Sequence, residues 1–171
     1  MKVQRIFLAM LIFLPVACTG ETVMTVEPLA ISQPTPIMGT IDNNSIFLNT
    51  DAVLPEPTDV HIARWRVVQI NLALLIDDAG QARDVKEITV NLFPDVTYTA
   101  VIEQVEQAGG VYSWSGYLKG VELSYFTMVY TSGAFMGHFA SPLGVYEAAY
   151  AQGDLYRVIQ IDQSKFPGGE G

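Results

Sequence analysis

Short runs of β-branched and aromatic residues, separated by glycine-containing breaks, dominate the second half of the chain. They fill residues 111–161, and the breaks fall at Lys119-Gly120, Ser132-Gly133, Ser141-Pro142-Leu143-Gly144 and Gln152-Gly153-Asp154. Turn signals at this near-regular spacing are typical of consecutive β-hairpins. The pattern therefore predicts an antiparallel meander in this part of the chain.

Polar and apolar positions alternate within these runs. In the first run, Tyr112, Trp114 and Leu118 share one face of a strand, and Ser113 and Ser115 share the other. The run that follows carries bulky residues on both faces, which predicts a central strand that is covered on both sides.

Three further segments extend the β pattern upstream. Residues 62–72 alternate from Arg64 on, with Arg64 and Arg66 on one side of a long strand. Residues 86–93 predict a second strand. Residues 96–107 fit either a strand or one face of a helix, and their β-branched content favours a strand.

About eight strands are therefore expected between His61 and Asp162, with short connections and no helix. The predicted fold class is all-β, an antiparallel β-sandwich or open barrel in hairpin or meander order.

The N-terminus predicts export. Residues 1–17 form a signal peptide, because Lys2 and Arg5 precede a nine-residue apolar run that is too short to span a bilayer. Residues 14–18 (LPVAC) resemble the lipobox of bacterial lipoproteins, although Pro15 stands where leucine is usual. The resemblance implies lipidation of Cys18 and a membrane anchor. Cleavage by an ordinary signal peptidase is the alternative, and both place the chain outside the cytoplasm.

Composition divides the chain after the signal peptide into three parts. Residues 18–60 are acidic, contain five prolines and no Lys or Arg, and predict an extended, disordered tether. Within the tether, Ile46-Phe47-Leu48 is a candidate short edge strand. Residues 61–166 form the β domain, and residues 167–171 a flexible tail.

Charge and cysteine content exclude some functions. The net charge is −9, and without Lys2 and Arg5 it is −11. Nucleic acids and anionic lipids require clustered Lys and Arg, so neither is an expected partner. Cys18 is the single cysteine, so the exported domain has no intramolecular disulfide.

No catalytic, cofactor or metal site is predicted. The chain has two histidines, His61 and His138, and neither lies in a zinc-binding pattern. The carboxylates of Asp77 and Asp78 fit a solvated turn better than acid–base chemistry or calcium. One set of aromatic residues is a candidate sugar or peptide groove, although core packing explains it better: Trp114, Tyr117, Tyr125, Phe126, Tyr130, Tyr146 and Tyr150.

Four segments resemble one family. They are residues 64–75 (RWRVVQINLALL), 88–101 (ITVNLFPDVTYTAV), 112–116 (YSWSG) and 161–167 (IDQSKFP). Together they are similar to the propeptide-like N-terminal domain of bacterial secreted zinc metalloproteases of the reprolysin-like metzincin type. No His-Glu-x-x-His zinc helix follows them here, so peptidase activity is not expected of this chain.

The resemblance implies a protein that acts by binding. A propeptide packs on its protease, assists its folding and blocks its cleft, and a separate copy would act as an inhibitor or folding partner of a zinc metalloprotease. A carboxylate near the end of the domain, Asp162 or Glu170, would then reach the zinc. The alternative is a purely structural role, in which Asp162 caps a turn.

Two other functions stay open. One is a surface adhesion or ligand-binding lipoprotein that uses the aromatic set. The other is the remnant of a truncated metalloprotease gene.

Overall fold

The computed structural model describes residues 44–166, and within them nine strands form one antiparallel sheet. The strands are β1 (Phe47–Asn49), β2 (Ile62–Ile70), β3 (Glu87–Phe93), β4 (Val96–Ala108), β5 (Val111–Leu118), β6 (Tyr125–Thr131), β7 (Ala134–Ser141), β8 (Gly144–Gln152) and β9 (Leu155–Ile161). The predicted signal peptide, Cys18, Glu170 and the tail lie outside these residues.

The sheet is a meander that curls into a nearly closed barrel. Its strand order is β1-β2-β9-β8-β7-β6-β5-β4-β3, so every strand from β3 to β9 pairs with its neighbour in sequence. A parallel bridge between Ser45 and Thr89 brings the two ends of the order together. The predicted all-β class and meander order are confirmed, and the barrel is the form that the sheet takes.

Alternate side chains along each strand point inward and fill the interior of the barrel. This is the consequence of the two-residue period of a strand. The largest fully buried side chains are Trp114, Phe47, Phe126, Phe135, Phe139, Ile46, Leu75, Leu92, Leu118 and Met128.

One predicted strand is confirmed as a strand, and another is less covered than predicted. Residues 96–107 form the thirteen-residue strand β4, as their β-branched content indicated. Strand β6 was expected to be central and covered on both sides. It is central in the strand order, but its outward face is only partly covered, since Tyr125 is 54% exposed while Thr127 and Val129 are half-buried.

The folded part begins earlier than the sequence indicated. Residues 44–60 were assigned to the tether, yet Ser45, Ile46 and Phe47 are buried and β1 pairs with the end of β2. The ring of Phe47 makes edge-on contacts with Phe135 and Phe139, at centroid distances of 6.4 and 6.1 Å. A single large aromatic side chain thus anchors a three-residue strand that composition alone assigns to a linker.

Side chains complete the closure between the two ends of the sheet. Asn91 on β3 accepts a hydrogen bond from the Phe47 amide (3.2 Å) and donates one to the Phe47 carbonyl (2.8 Å). Beyond the short β1, the guanidinium of Arg66 on β2 donates to the carbonyl oxygens of Leu92 (2.7 Å) and Asn91. We call this line of contacts the seam. Burial lowers the pKa of Arg66 to about 10, which leaves it charged at neutral pH.

Arg64 occupies the next inward position of β2. Its guanidinium lies over the Phe93 ring (4.2 Å), donates to both carboxylate oxygens of Asp95 (2.7 and 2.8 Å), and donates to Gln160 (2.7 Å). It therefore ties the turn after β3 to β2 and β9.

Two tyrosines pack near this end of the barrel. Tyr98 is 8% exposed and Tyr146 is 2% exposed. Burial, with a smaller contribution from the neighbouring Tyr146, raises the pKa of Tyr98 to about 12.

Helical structure is minor. The described part of the chain has two 3-10 helices, Leu72–Leu74 and Gln163–Lys165. Neither is long or apolar enough to cross a membrane.

We predict that Arg66→Met destabilises the barrel by about 2 to 4 kcal/mol, because the carbonyl oxygens of Asn91 and Leu92 lose a charged donor. The free energy of unfolding in urea measures the loss. Arg83→Met is the control, because Arg83 is exposed and its side chain makes no ion pair or hydrogen bond within residues 44–166. Equal stabilities of the two variants would contradict the role of the seam.

The pKa of Tyr98 predicts a loss of stability at high pH. A phenol whose pKa is raised on folding stabilises the fold below its unfolded pKa and loses that contribution as pH rises through the folded value. We expect about 2 kcal/mol to be lost between roughly pH 10 and pH 12. Tyr98→Phe should flatten that decline in urea unfolding, whereas Tyr117→Phe, at an exposed site, should leave it unchanged.

Candidate functional site

The outside of the barrel carries an apolar region where the strand pattern would normally place polar residues. Directly paired residues in an antiparallel sheet lie on the same face. Val158 and Tyr146 point into the core, so their neighbours along β9 and β8 point outward. The strand pairing aligns these outward side chains in two adjacent rows that cross five strands. The first row is Ile62, Ile161, Val145, Ala140 and Tyr125, and the second is Trp65, Ile159, Glu147, His138 and Thr127. We call these ten residues the outer face.

Most of the outer face is apolar and half-buried. Ala140 is 8% exposed and Tyr125 is 54% exposed, and the other members lie between. Both faces of β9 are therefore apolar, since Tyr156 and Val158 point into the core while Ile159 and Ile161 point out. Such a strand resembles one that is covered on both sides.

The two titratable groups near the centre of the outer face contact each other. His138 Nδ1 lies 3.6 Å from a carboxylate oxygen of Glu147, and His138 Nε2 lies 3.2 Å from the Tyr125 hydroxyl. The rings of Tyr125 and His138 also stack obliquely at 5.5 Å. Polar groups are thus paired within the face, which makes it easier to remove from water.

A strap formed by residues 50–58 borders the outer face. Leu54 of the strap is 7% exposed, and the Pro55 carbonyl accepts a hydrogen bond from Arg157 on β9 (2.7 Å). The Arg157 guanidinium in turn lies over the Trp65 ring at 5.6 Å.

The other border is formed by the start of β2 and the chain after β9. The His61 ring stacks on Phe166 at 4.6 Å, and its Nδ1 lies 2.9 Å from Asp59. Phe166 is 52% exposed, which adds a further apolar surface at this border.

Asp162 directly follows Ile161 of the outer face. Its carboxylate accepts hydrogen bonds from the Ser164 amide (3.1 Å) and hydroxyl (2.6 Å), which caps the second 3-10 helix. The Ser164 hydroxyl is the main reason why the pKa of Asp162 is lowered. The carboxylate is therefore ionised, tied to its own turn, and close to the face. Its suggested role toward a zinc ion stays a prediction.

The remaining candidate residues occupy structural positions. One Asp77 oxygen accepts from the amides of Ala79 (2.9 Å) and Gln81 (2.8 Å), as expected of a turn. His61 and His138 have different partners, and residues 44–166 contain no group of three His, Cys, Asp or Glu side chains suited to a metal ion.

The aromatic set does not form one groove. Alternation divides its members: Trp114, Phe126 and Tyr146 are buried in the core, whereas Tyr117, Tyr125 and Tyr150 are exposed.

The outer face was not predicted from the sequence, because its members lie on five strands that only the sheet pairing brings together. The signal was present in β9, where Val158-Ile159 and Ile161 place apolar side chains on both sides of one strand.

No protein-family model and no curated protein sequence matches this chain. The fold is similar to a solved structure described as "Structure of a chaperone-substrate complex". The TM-score is 0.50 at 12% sequence identity, and the match covers 72% of this chain and 93% of that chain. At this identity the likeness shows the fold alone.

Proposed function

We propose that this chain is an exported, non-catalytic module that binds another protein through its outer face. The observation that carries the proposal is the composition of that face in a chain with a net charge of −9. Seven of its ten residues are aliphatic or aromatic, and one carboxylate lies among them. Burial of apolar surface against a partner is favourable by about 25 cal/mol per Å². Large exposed apolar patches commonly mark interaction sites.

The partner that we propose is the catalytic domain of a zinc metalloprotease of the reprolysin-like metzincin type. The support is the resemblance of residues 64–75, 88–101, 112–116 and 161–167 to the propeptide-like domain of such enzymes. The chain would act on a separate protease as an inhibitor or folding partner. A lipid on Cys18 would hold it at the membrane.

Two further features are compatible with this function. A protein of similar fold is described as part of a chaperone-substrate complex, which agrees with a binding role in general terms. The position of Asp162 next to Ile161 places an ionised carboxylate at the border of the outer face, within reach of a partner seated there.

We predict that Val145→Glu and Ile159→Glu each weaken inhibition of a secreted reprolysin-type protease from the same source by about 30-fold or more. Burial of an unpaired carboxylate in an interface costs at least ~2 kcal/mol, which corresponds to that factor. Cleavage of a quenched peptide by the protease, titrated with the full chain, gives the inhibition constant.

Val105→Glu and Val111→Glu are the matched controls. Both valines are 41% exposed on the β4–β5 hairpin, outside the outer face. They should keep full inhibition. The unfolding temperature of all four variants is measured beside the inhibition constant, because Ile159 pairs directly with Glu147 and a second carboxylate there also repels within the sheet. Unchanged inhibition in the outer-face variants, or no effect of the native chain on any such protease, would refute the proposal. Sedimentation of the native chain as a dimer that Ile159→Glu converts to monomer would assign the face to self-association instead.

Asp162→Asn tests the carboxylate separately. Asparagine retains the side-chain oxygen that accepts from Ser164, so the turn is preserved while the charge is lost. If the carboxylate ligates the protease zinc, inhibition weakens about tenfold or more. Asp78→Asn removes the same charge from a distant exposed turn and should have no effect. A silent Asp162→Asn would exclude zinc ligation without affecting the role of the outer face.

A further inference from the structure

A second surface, on β3 and β4, has the chemistry of a ligand site. It is an open groove of about 470 Å³ that lies between these strands and the chain around the first 3-10 helix. These strands do not contribute to the outer face, so the groove is a separate feature of the barrel. Its lining consists of Asn44, Ala73, Leu74, Arg83, Val85, Glu87, Ile88, Thr89 and Thr99.

The floor of the groove presents two hydroxyl groups side by side. Thr89 on β3 and Thr99 on β4 are directly paired residues, so their side chains lie on the same face of the sheet. Both are half-buried. Neither hydroxyl has a hydrogen-bond partner within residues 44–166, which leaves both available to a ligand.

Arg83 supplies a positive charge at the rim. Within the described residues, Arg64, Arg66 and Arg157 all donate hydrogen bonds to other groups, and Arg83 is the one arginine whose side chain has no partner there. Its backbone is fixed, because the Arg83 amide donates to the Leu75 carbonyl (2.8 Å).

The acidic residues near Arg83 are neutralised by lysines. Asp84 pairs with Lys86 at 2.6 Å, and Glu87, which itself lines the groove, pairs with Lys119 at 2.8 Å. The charge of Arg83 is thus not cancelled locally, even though the chain as a whole is strongly acidic. An arginine without a partner that lines the same groove as two free hydroxyls offers donors suited to a carboxylate.

We propose that this groove binds a carboxylate attached to a short aliphatic group. Arg83 pairs with the carboxylate, the hydroxyls of Thr89 and Thr99 donate to it, and Leu74 and Val85 contact the aliphatic part. Two sources share this chemistry, a free short-chain carboxylic acid and the C-terminal residue of a peptide.

The test is titration of the isotopically labelled full chain by NMR with N-acetylleucine and with hexanoate. The neutral amides of the two compounds serve as controls. We expect saturable shifts of the amide signals of Thr89 and Thr99 with the acids, complete below about 10 mM, and none with the amides. A preference for N-acetylleucine assigns the site to a peptide terminus, and a preference for hexanoate assigns it to a free acid.

Variants localise the binding. Arg83→Gln and Thr99→Val should each weaken it at least tenfold. Lys165→Gln removes an equal charge elsewhere, and Thr97→Val removes a hydroxyl two positions along β4, so both should bind normally. Absence of saturable shifts, equal binding of the amides, or unchanged binding by Arg83→Gln would each overturn the proposal. None of these outcomes bears on the outer face.

Discussion

The barrel depends on how its two terminal strands meet. The nine-strand sheet has an edge at each end of its strand order, and open edges are prone to pair with other chains. Here β1 spans three residues, so backbone hydrogen bonds alone cannot join β2 to β3. Asn91 and Arg66 supply the missing contacts with side-chain groups, and Phe47 secures β1 by entering the aromatic core.

Closure also explains why the outer face stands out. Once the sheet has curled, the inward side chains form the core. The outward side chains are not needed for the core and have only to tolerate contact with water. Ile159, Ile161 and Val145 are only partly covered in the isolated chain, so some of their apolar surface stays in contact with water. The apolar surface that stays exposed is removed from water, with a favourable free energy, only when another surface covers it. The partly exposed apolar residues are the feature on which the proposed binding surface rests.

Much of the fold was predictable from the sequence, and the site was not. Turn residues and alternation define β5 to β9 locally, because a strand's period and its glycine breaks are encoded in neighbouring residues. β1 was only a candidate, since the burial of Phe47 depends on Phe135 and Phe139, nearly ninety positions away. The outer face and the groove at Arg83 depend equally on pairing between distant segments. The sequence does not show that Arg83 lacks a partner, because the nearby acids Asp84 and Glu87 pair with Lys86 and Lys119 only in the folded chain.

The family-like segments have a structural explanation of their own. Arg64 and Arg66 contact Phe93, Asp95 and the carbonyls of Asn91 and Leu92, so the first two segments meet at the seam and the adjacent end of the barrel. These contacts close the sheet, whatever the protein binds. Of the outer face, Trp65 and Ile161 lie within those segments, whereas Val145 and Ile159 lie outside them. Substitutions at Val145 and Ile159 therefore change the outer face without altering any residue of the seam.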